Sequence, residues 1–181
     1  LLTGTKTILK AQNESRIESI LQWIDKDRDK FYFYKGDDSQ LKTQVKQLDR
    51  ELRSGGYKTM IVSIILKETK HINDLTNKFQ KLNLTKKNFG SIILDDEADY
   101  ASMNNNPPGM RPSEINAQLI ELRKAIPHNC YAAYTATPQA CLSSNPNELI
   151  GYPKDFFWLL EPFVDEVNGQ EVSRSYLGAW Y

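Results

Sequence analysis

The stretch SIILDDEADYAS, Ser91 to Ser102, decides the fold of this chain. Its first half contains Ile92, Ile93 and Leu94, a short apolar run typical of a parallel strand that is covered on both faces. Four acidic residues follow within five positions: Asp95, Asp96, Glu97 and Asp99. Such crowding is electrostatically costly unless a divalent cation or ordered water shares the charge. The stretch therefore predicts a buried strand that delivers carboxylates to its carboxyl-terminal end.

A buried strand followed by adjacent carboxylates is the Walker B pattern of nucleoside triphosphatases. Their chemistry needs one carboxylate near Mg²⁺ and a second one that positions the attacking water. Asp96 and Glu97 are the candidates for these two roles. A solvated acidic turn after an ordinary core strand is the alternative that this stretch leaves open.

Predicted helices and strands alternate along the chain. Apolar spacing with start and stop signals predicts helices that begin near Asn13 and Ser113 and helices over 38–53 and 72–82. Aromatic and β-branched runs predict strands at 31–34, 59–66 and 130–138. This alternation implies βαβ units in an α/β domain with a mostly parallel sheet and helices on both faces. We expect a single domain over 1–181, with a less regular part at 139–181.

The run YTATP, Tyr134 to Pro138, ends the last predicted strand. Ligands of open parallel sheets bind at the carboxyl ends of the strands. We therefore expect Thr135 and Thr137 to lie at the same edge of the sheet as Asp96 and Glu97.

The composition is that of an ordinary globular chain. Its 181 residues are 40% hydrophobic and 25% charged, with a mean hydropathy of −0.56, which argues against a membrane-embedded or disordered chain. The sequence shows neither an apolar run of about 18 residues nor a signal-peptide pattern, so a cytoplasmic location is the simplest expectation. Cys130 and Cys141 lack zinc-ligand spacing and are expected to be reduced packing residues.

The formal net charge is zero, but its distribution along the chain is uneven. Residues 1–90 carry 18 Lys and Arg against 11 Asp and Glu, whereas residues 91–181 carry 5 against 12. A basic half and an acidic half fit a polyanion-binding surface beside a metal-binding site. Chance clustering of charge on solvated helix faces fits equally well.

The chain begins with LLTG, without a methionine, and ends with the aromatic GAWY. We therefore expect a fragment of a longer protein, truncated at its amino terminus, whose upstream sequence completes a nucleotide site. The run GTKT, Gly4 to Thr7, superficially resembles the end of a phosphate-binding loop. Such a loop needs adjacent Gly-Lys-Ser/Thr and an earlier glycine, so GTKT does not qualify.

Taken together, LLTG with Gln12, IILDDEAD and YTATP resemble the amino-terminal motor lobe of superfamily-two (DEAD-like) helicases and translocases. The acidic strand and YTATP, followed by YPKDF and a terminal YLG, are more similar still to the Z-one domain. That domain occurs in bacterial proteins described as endonucleases or helicase-like ATPases, often encoded beside restriction and phage-defence genes. The resemblance implies a three-layer RecA-like fold of the P-loop NTPase type, beginning after the Walker A loop.

The resemblance further implies an ATP-dependent DNA helicase or translocase, in a restriction-modification or phage-defence system. Its cofactors would be Mg²⁺ and ATP. Its partners would be DNA, a second helicase lobe of the same chain, and restriction or defence proteins. Since the phosphate-binding loop and the second lobe are missing, residues 1–181 alone are expected to be inactive and to bind neither cofactor tightly.

The same resemblance implies roles for individual residues. Asp96 would hold Mg²⁺, mostly through water, and Glu97 would orient or deprotonate the hydrolytic water. Asp99, together with Thr135 and Thr137, would link the state of the nucleotide to movement of the lobe. Contacts with a nucleic-acid backbone are implied for residues of two further motifs: Thr3, Gly4, Gln12 and Lys67.

Two other functions remain open. A metal-dependent DNA endonuclease is suggested by the E-x-K arrangement of Glu68 and Lys70 with Asp49 upstream, although a solvated Lys and Glu pair has the same spacing. The missing phosphate-binding loop also fits a non-catalytic scaffold with the fold of an NTPase, which binds a partner.

Overall fold

The central sheet is built around two parallel strands that pair along their whole length. These are β5 (Ser91–Asp96) and β6 (Asn129–Tyr134), with Asp96 opposite Tyr134. On its other side β5 lies next to β1 (Leu2–Thr3), which in turn pairs with β4 (Ile65–Leu66). The result is a four-stranded, all-parallel sheet in the order β4-β1-β5-β6.

This computed structural model describes most of the chain. The described residues are 1–3, 7–24, 30–34, 38–55, 59–83, 90–107, 109–126, 128–158, 164–167 and 170–173. No helix within these ranges is long and apolar enough to cross a membrane.

A second parallel pair continues from the first sheet. β2 (Lys30–Tyr34) pairs with β3 (Thr59–Ser63), and only Ile64 separates β3 from β4. The strand predicted over 59–66 is therefore present, but it pairs with β2 along its first half and with β1 along its second. Near the end of the chain, β7 (Val164–Val167) and β8 (Gln170–Ser173) form an antiparallel pair.

Helices follow most of the strands, as the predicted alternation requires. They are α1 (Thr7–Ile24), α2 (Asp38–Arg53), α3 (Thr69–Lys81), α4 (Ala98–Ala101), α5 (Glu114–Ala125) and α6 (Gln139–Leu142). The predicted bounds of α2 are confirmed. The helix expected from Asn13 begins earlier, because the preceding TILKAQ contains good helix formers and no glycine or proline.

The last parallel strand ends earlier than predicted. β6 stops at Tyr134, whereas the prediction extended it to Pro138. The backbone N–H of Thr137 donates a hydrogen bond to Thr135 Oγ1 at 2.9 Å instead of joining the ladder of the sheet. Pro138 has no N–H to offer to a ladder, so the strand cannot continue through it.

The main apolar core lies between one face of the sheet and the helices α3 and α5. Its buried members include Ile72, Ile93, Leu119 and Leu122. Residues i and i+2 of a strand point to the same face, so Asp95 shares the core face with Ile93. The core therefore surrounds one of the four acidic residues.

The opposite face of the sheet is covered only in part by the described helices. α1 contacts β1 and β4, and Thr3 and Leu66 are buried there. Over β5 and β6 the same face is open, since Ile92 is 69% and Tyr134 is 56% exposed. Cys130 pairs with Ile92 on this open face and is exposed, so its prediction as a packing residue is wrong, whereas Cys141 is buried.

Candidate functional site

The carboxyl ends of the parallel strands bring the predicted site residues to one edge of the sheet. Asp96 ends β5, and Thr135 follows β6 directly. Lys67 follows β4, whose neighbour β1 ends at Thr3. Because all four strands run in the same direction, residues that are far apart in the sequence meet at this edge.

Asp99 is joined to the end of the neighbouring strand by two hydroxyl groups. Thr135 Oγ1 donates to Asp99 Oδ1 at 2.5 Å, and Thr137 Oγ1 donates to Oδ2. Burial raises the pKa of Asp99, but the hydrogen bonds from Thr135 and then Thr137 outweigh it, so this pKa lies below its usual value. The ionised carboxylate thus fastens the first turn of α4 to the segment after β6.

Asp95 is fully buried and has two partners inside the protein. Its Oδ1 lies 3.1 Å from Lys67 Nζ, and its Oδ2 accepts a hydrogen bond from the Tyr131 hydroxyl. Burial, followed by the negative charge of Asp95, raises the pKa of Tyr131 well above its usual value. The phenol therefore remains a hydrogen-bond donor at neutral pH, and Asp95 is turned away from the solvent.

Lys67 has no exposed surface, although it was expected to contact a nucleic-acid backbone. Its ammonium group donates to the backbone carbonyl oxygens of Asp96 at 2.5 Å and of Glu97 at 2.6 Å, besides its ion pair with Asp95. Two of its three donors are thus taken by backbone carbonyl oxygens, and the third contact is the ion pair with Asp95. In this structure Lys67 is therefore not available to a phosphate.

The other expected nucleic-acid residues have different surroundings. Thr3 is also fully buried, which argues against direct contact with a phosphate backbone. Gln12 is exposed on α1 and can reach a partner. Gly4 lies outside the described residues.

Glu97 adopts the left-handed conformation, with φ 55° and ψ 48°, directly before α4. This backbone conformation costs about 1–2 kcal/mol for a residue that is not glycine. The side chain of Glu97 is exposed and that of Asp96 is partly exposed. Within the described ranges, no protein hydrogen bond or ion pair occupies either carboxylate.

The free carboxylates fit a magnesium ion that is only partly held by protein. Mg²⁺ prefers oxygen ligands, keeps several waters, and is usually bound by one or two carboxylates together with substrate phosphates. The part of the chain that the structure describes holds no group of three or more His, Cys, Asp or Glu that could hold a metal ion on its own. A metal ion at Asp96 and Glu97 would therefore need further ligands besides these two carboxylates.

The E-x-K residues are arranged differently. Glu68 and Lys70 are exposed at the start of α3, where Glu68 Oε2 lies 3.6 Å from His71 Nδ1. Asp49 lies on α2, and its Oδ2 is 3.5 Å from Arg53 Nε. Among the described residues these side chains form no metal-binding cluster.

Sequence reasoning missed the internal role of three residues. Asp95 was an extra carboxylate without a role, Lys67 was placed on the surface, and Tyr131 was an ordinary strand residue. The sequence did contain a signal for this pair, because Lys67 follows one apolar strand and Asp95 lies near the end of another. A charge buried in a parallel sheet needs an opposite charge nearby, so these two residues could have been expected to pair.

Comparison with known proteins does not place the chain in a family. No protein-family model matches it, and no curated protein or solved structure is significantly similar to it. The function is therefore inferred from the residues at the site.

Proposed function

We propose that this chain is one lobe of an ATP-dependent motor that acts on DNA, with a RecA-like fold of the P-loop type. The observation that carries this proposal is the division of roles among four neighbouring carboxylates. Asp95 and Asp99 are held by protein hydrogen bonds, whereas Asp96 and Glu97, at the carboxyl edge of the sheet, have no side-chain partner among the described residues. If the acidic turn were only structural, nothing would require two of its carboxylates to stay without partners. A hydrolytic site does require this, since it needs one carboxylate for the metal and one for the attacking water.

The two free carboxylates have separate roles in this proposal. Asp96 would hold Mg²⁺, mostly through water, and the bound ion would offset the charge of the phosphates. Glu97, one residue later and on a different backbone conformation, would accept a proton from the attacking water or orient it. A carboxylate without a protein partner retains the lone pairs that this step uses.

Asp99 supplies the mechanical part of the proposal. It lies two residues after Glu97 and is hydrogen-bonded to Thr135 and Thr137. A change in the position of the turn that carries Glu97 would therefore be transmitted to the segment after β6. This contact supports a coupling between hydrolysis and movement of the lobe.

In this proposal, the phosphate-binding element that residues 1–181 lack would lie along the unpaired side of β6. Within the described strands β6 has a neighbour on one side only, and Ile92 and Tyr134 are exposed on the adjacent face. A strand, a glycine-rich loop and a helix would pair with β6 and cover this face. The loop would then lie at the same edge of the sheet as Asp96, with the end of β6 between them.

The proposed partners are DNA, a second motor lobe of the same protein, and proteins of a restriction or defence system in the cytoplasm. Gln12 and Gly4 are retained as candidate contacts with the DNA backbone, and the basic half of the sequence supports a polyanion as partner. Thr3 and Lys67 are not retained, since both are buried. Among the described residues Asp49 and Glu68 belong to no metal-binding cluster, so the structure adds no support to the endonuclease alternative.

Magnesium-dependent ATP hydrolysis by the natural full-length protein, with and without DNA, tests the proposal. We expect hydrolysis that DNA stimulates and that Asp96→Ala reduces by at least about 100-fold, because the metal loses its protein ligand. Glu121→Gln, at an exposed position of α5, is the matched control and should retain the wild-type rate. A wild-type protein without hydrolysis, whose partner binding is unaffected by Asp96→Ala, would favour the scaffold instead.

A further inference from the structure

Lys67 is a fully buried lysine, which is rare because an ammonium group loses its hydration on burial. It follows β4, and its ion-pair partner Asp95 lies on β5, with β1 between the two strands. The side chain therefore bridges positions two strand spacings apart, roughly 10 Å between the strand axes. Its charged end lies beneath the turn that carries Asp96 and Glu97.

The contacts of Lys67 do more than neutralise a charge. Two of its three donors go to the backbone carbonyls of Asp96 and Glu97, the residues with the free carboxylates. The third contact, to Asp95, keeps the ammonium in place, and the Tyr131 hydroxyl holds the other oxygen of Asp95. Lys67 thus fastens both carbonyl groups around the left-handed backbone of Glu97.

Stability alone gives a weak reason for such a pair. The cost of removing two charges from water often exceeds their attraction, and apolar replacement of a buried ion pair is commonly neutral or stabilising. An ammonium that binds two successive carbonyls, in contrast, determines where the attached side chains point. Misplacement of a catalytic group by about 1 Å can lower a rate about 100-fold.

We propose that Lys67, held by Asp95 and Tyr131, is a positioning residue that fixes the turn Asp96–Glu97 for hydrolysis. This proposal rests on the proposed function, since it assigns the purpose of the turn to the reaction. The contacts of Lys67 bear on the orientation of Glu97 in the reaction and only secondarily on the binding of the nucleotide. The effect should therefore appear in kcat more than in KM.

The test separates charge balance from positioning in the natural full-length protein. Lys67→Met and Asp95→Asn each leave one buried charge or polar group without its partner, so each should lower Tm. The double variant removes both charges together, so its Tm should rise above that of either single variant. Because the carbonyls of Asp96 and Glu97 remain unclamped, we expect kcat for ATP hydrolysis to stay reduced at least about tenfold, with KM changed less than about threefold.

Lys124→Met is the matched control, since Lys124 is exposed and its pair with Glu121 lies on the surface. It should leave Tm, kcat and KM unchanged. A double variant that regains both Tm and kcat would show that the ion pair is structural only and would overturn the proposal. An unchanged kcat in Lys67→Met alone would do the same.

Two further measurements keep the proposal testable if the protein hydrolyses no nucleotide or the double variant does not fold. Hydrogen exchange of the amides of 97–101 should accelerate at least about tenfold in the double variant, while α5 exchanges as in the wild type. Tyr131→Phe, which keeps the ion pair and removes one donor to Asp95, should accelerate the same amides by a smaller factor. Tyr152→Phe, at a partly buried position in 151–158, is the control and should leave them unchanged. Unchanged exchange in the segment would overturn the positioning role, whereas absent hydrolysis alone contradicts only the proposed function.

Discussion

Thr135 Oγ1 donates a hydrogen bond to Asp99 Oδ1 at 2.5 Å, which joins the segment after β6 to the first turn of α4. The two residues are 36 positions apart in the sequence. Parallel pairing of β5 with β6 brings them together, because both strands end at the same edge. A displacement of either strand end would therefore change the distance between these two side chains.

The stability supplied by the Asp99 link should depend on pH. The pKa of Asp99 is lowered in the folded state, so its contribution is present above the ordinary value of 3.8 and is lost as pH falls through the folded value. The double variant Thr135→Val/Thr137→Val should lose about 1–2 kcal/mol at pH 6, since hydrogen bonds to a partly exposed carboxylate are lost.

Urea unfolding at pH 6 and at pH 3 measures this difference. The gap between wild type and variant should shrink at pH 3, which lies below the ordinary pKa of 3.8, because the unfolded chain then binds a proton at Asp99 more readily than the folded protein does. Thr43→Val is the control, because Thr43 donates only to the Ser39 carbonyl oxygen and has no carboxylate partner. An equal gap at both pH values would show that the charge of Asp99 does not strengthen the link.

Glu97→Gln should abolish ATP hydrolysis by the natural full-length protein while nucleotide binding stays largely intact. The amide keeps the shape of the side chain but cannot accept the proton of the attacking water, so kcat should fall at least about 100-fold. Single-turnover hydrolysis and equilibrium binding of MgATP measure the two effects separately. Hydrolysis at the wild-type rate would remove Glu97 from the mechanism.

Residues 1–181 alone should neither hydrolyse ATP nor bind it with micromolar affinity. The sequence lacks a G-x-x-x-x-G-K-[ST] loop, which would supply backbone amides and a lysine to the phosphates. Without that loop the triphosphate meets mainly the negative charge of the acidic turn.

Calorimetry with MgATP on the isolated chain decides this prediction. Micromolar binding would mean that other residues hold the phosphates, and the run GTKT, Gly4 to Thr7, would be tested first. Lys6→Ala should then abolish the binding. An unaltered affinity of the Lys6→Ala variant for MgATP would show that residues outside GTKT hold the phosphates.

Leu119→Ala should destabilise the protein by about 2–5 kcal/mol, because Leu119 is buried in the core between α5 and the sheet and its truncation leaves a cavity. Leu142→Ala is the matched control at a 44% exposed position of α6 and should cost less than about 1 kcal/mol. Chemical unfolding of both variants measures the difference. Equal losses at the two positions would contradict the assignment of the core.

Much of the fold follows from patterns that are local in the sequence. The bounds of α2 follow from apolar residues at helical spacing before a glycine stop, and β5 follows from an apolar run before charged residues. The approach of Thr135 to the acidic strand was also expected, since parallel strands bring their carboxyl ends to one edge. These features depend on the spacing of apolar residues, on local composition and on the direction of successive strands, all of which can be inferred from the sequence.

The partners of individual side chains were decided only by the tertiary structure. Asp95, Asp96, Glu97 and Asp99 are chemically alike and lie within five positions, yet the alternation of the strand turns Asp95 into the core, whereas Glu97, just after the strand, is exposed. From the sequence, Lys67 was expected at the surface. The structure places β1 between β4 and β5, and the side chain of Lys67 reaches across to the turn that carries Asp96 and Glu97. Burial and pairing depend on contacts between residues about 30 positions apart, so no local pattern determines them.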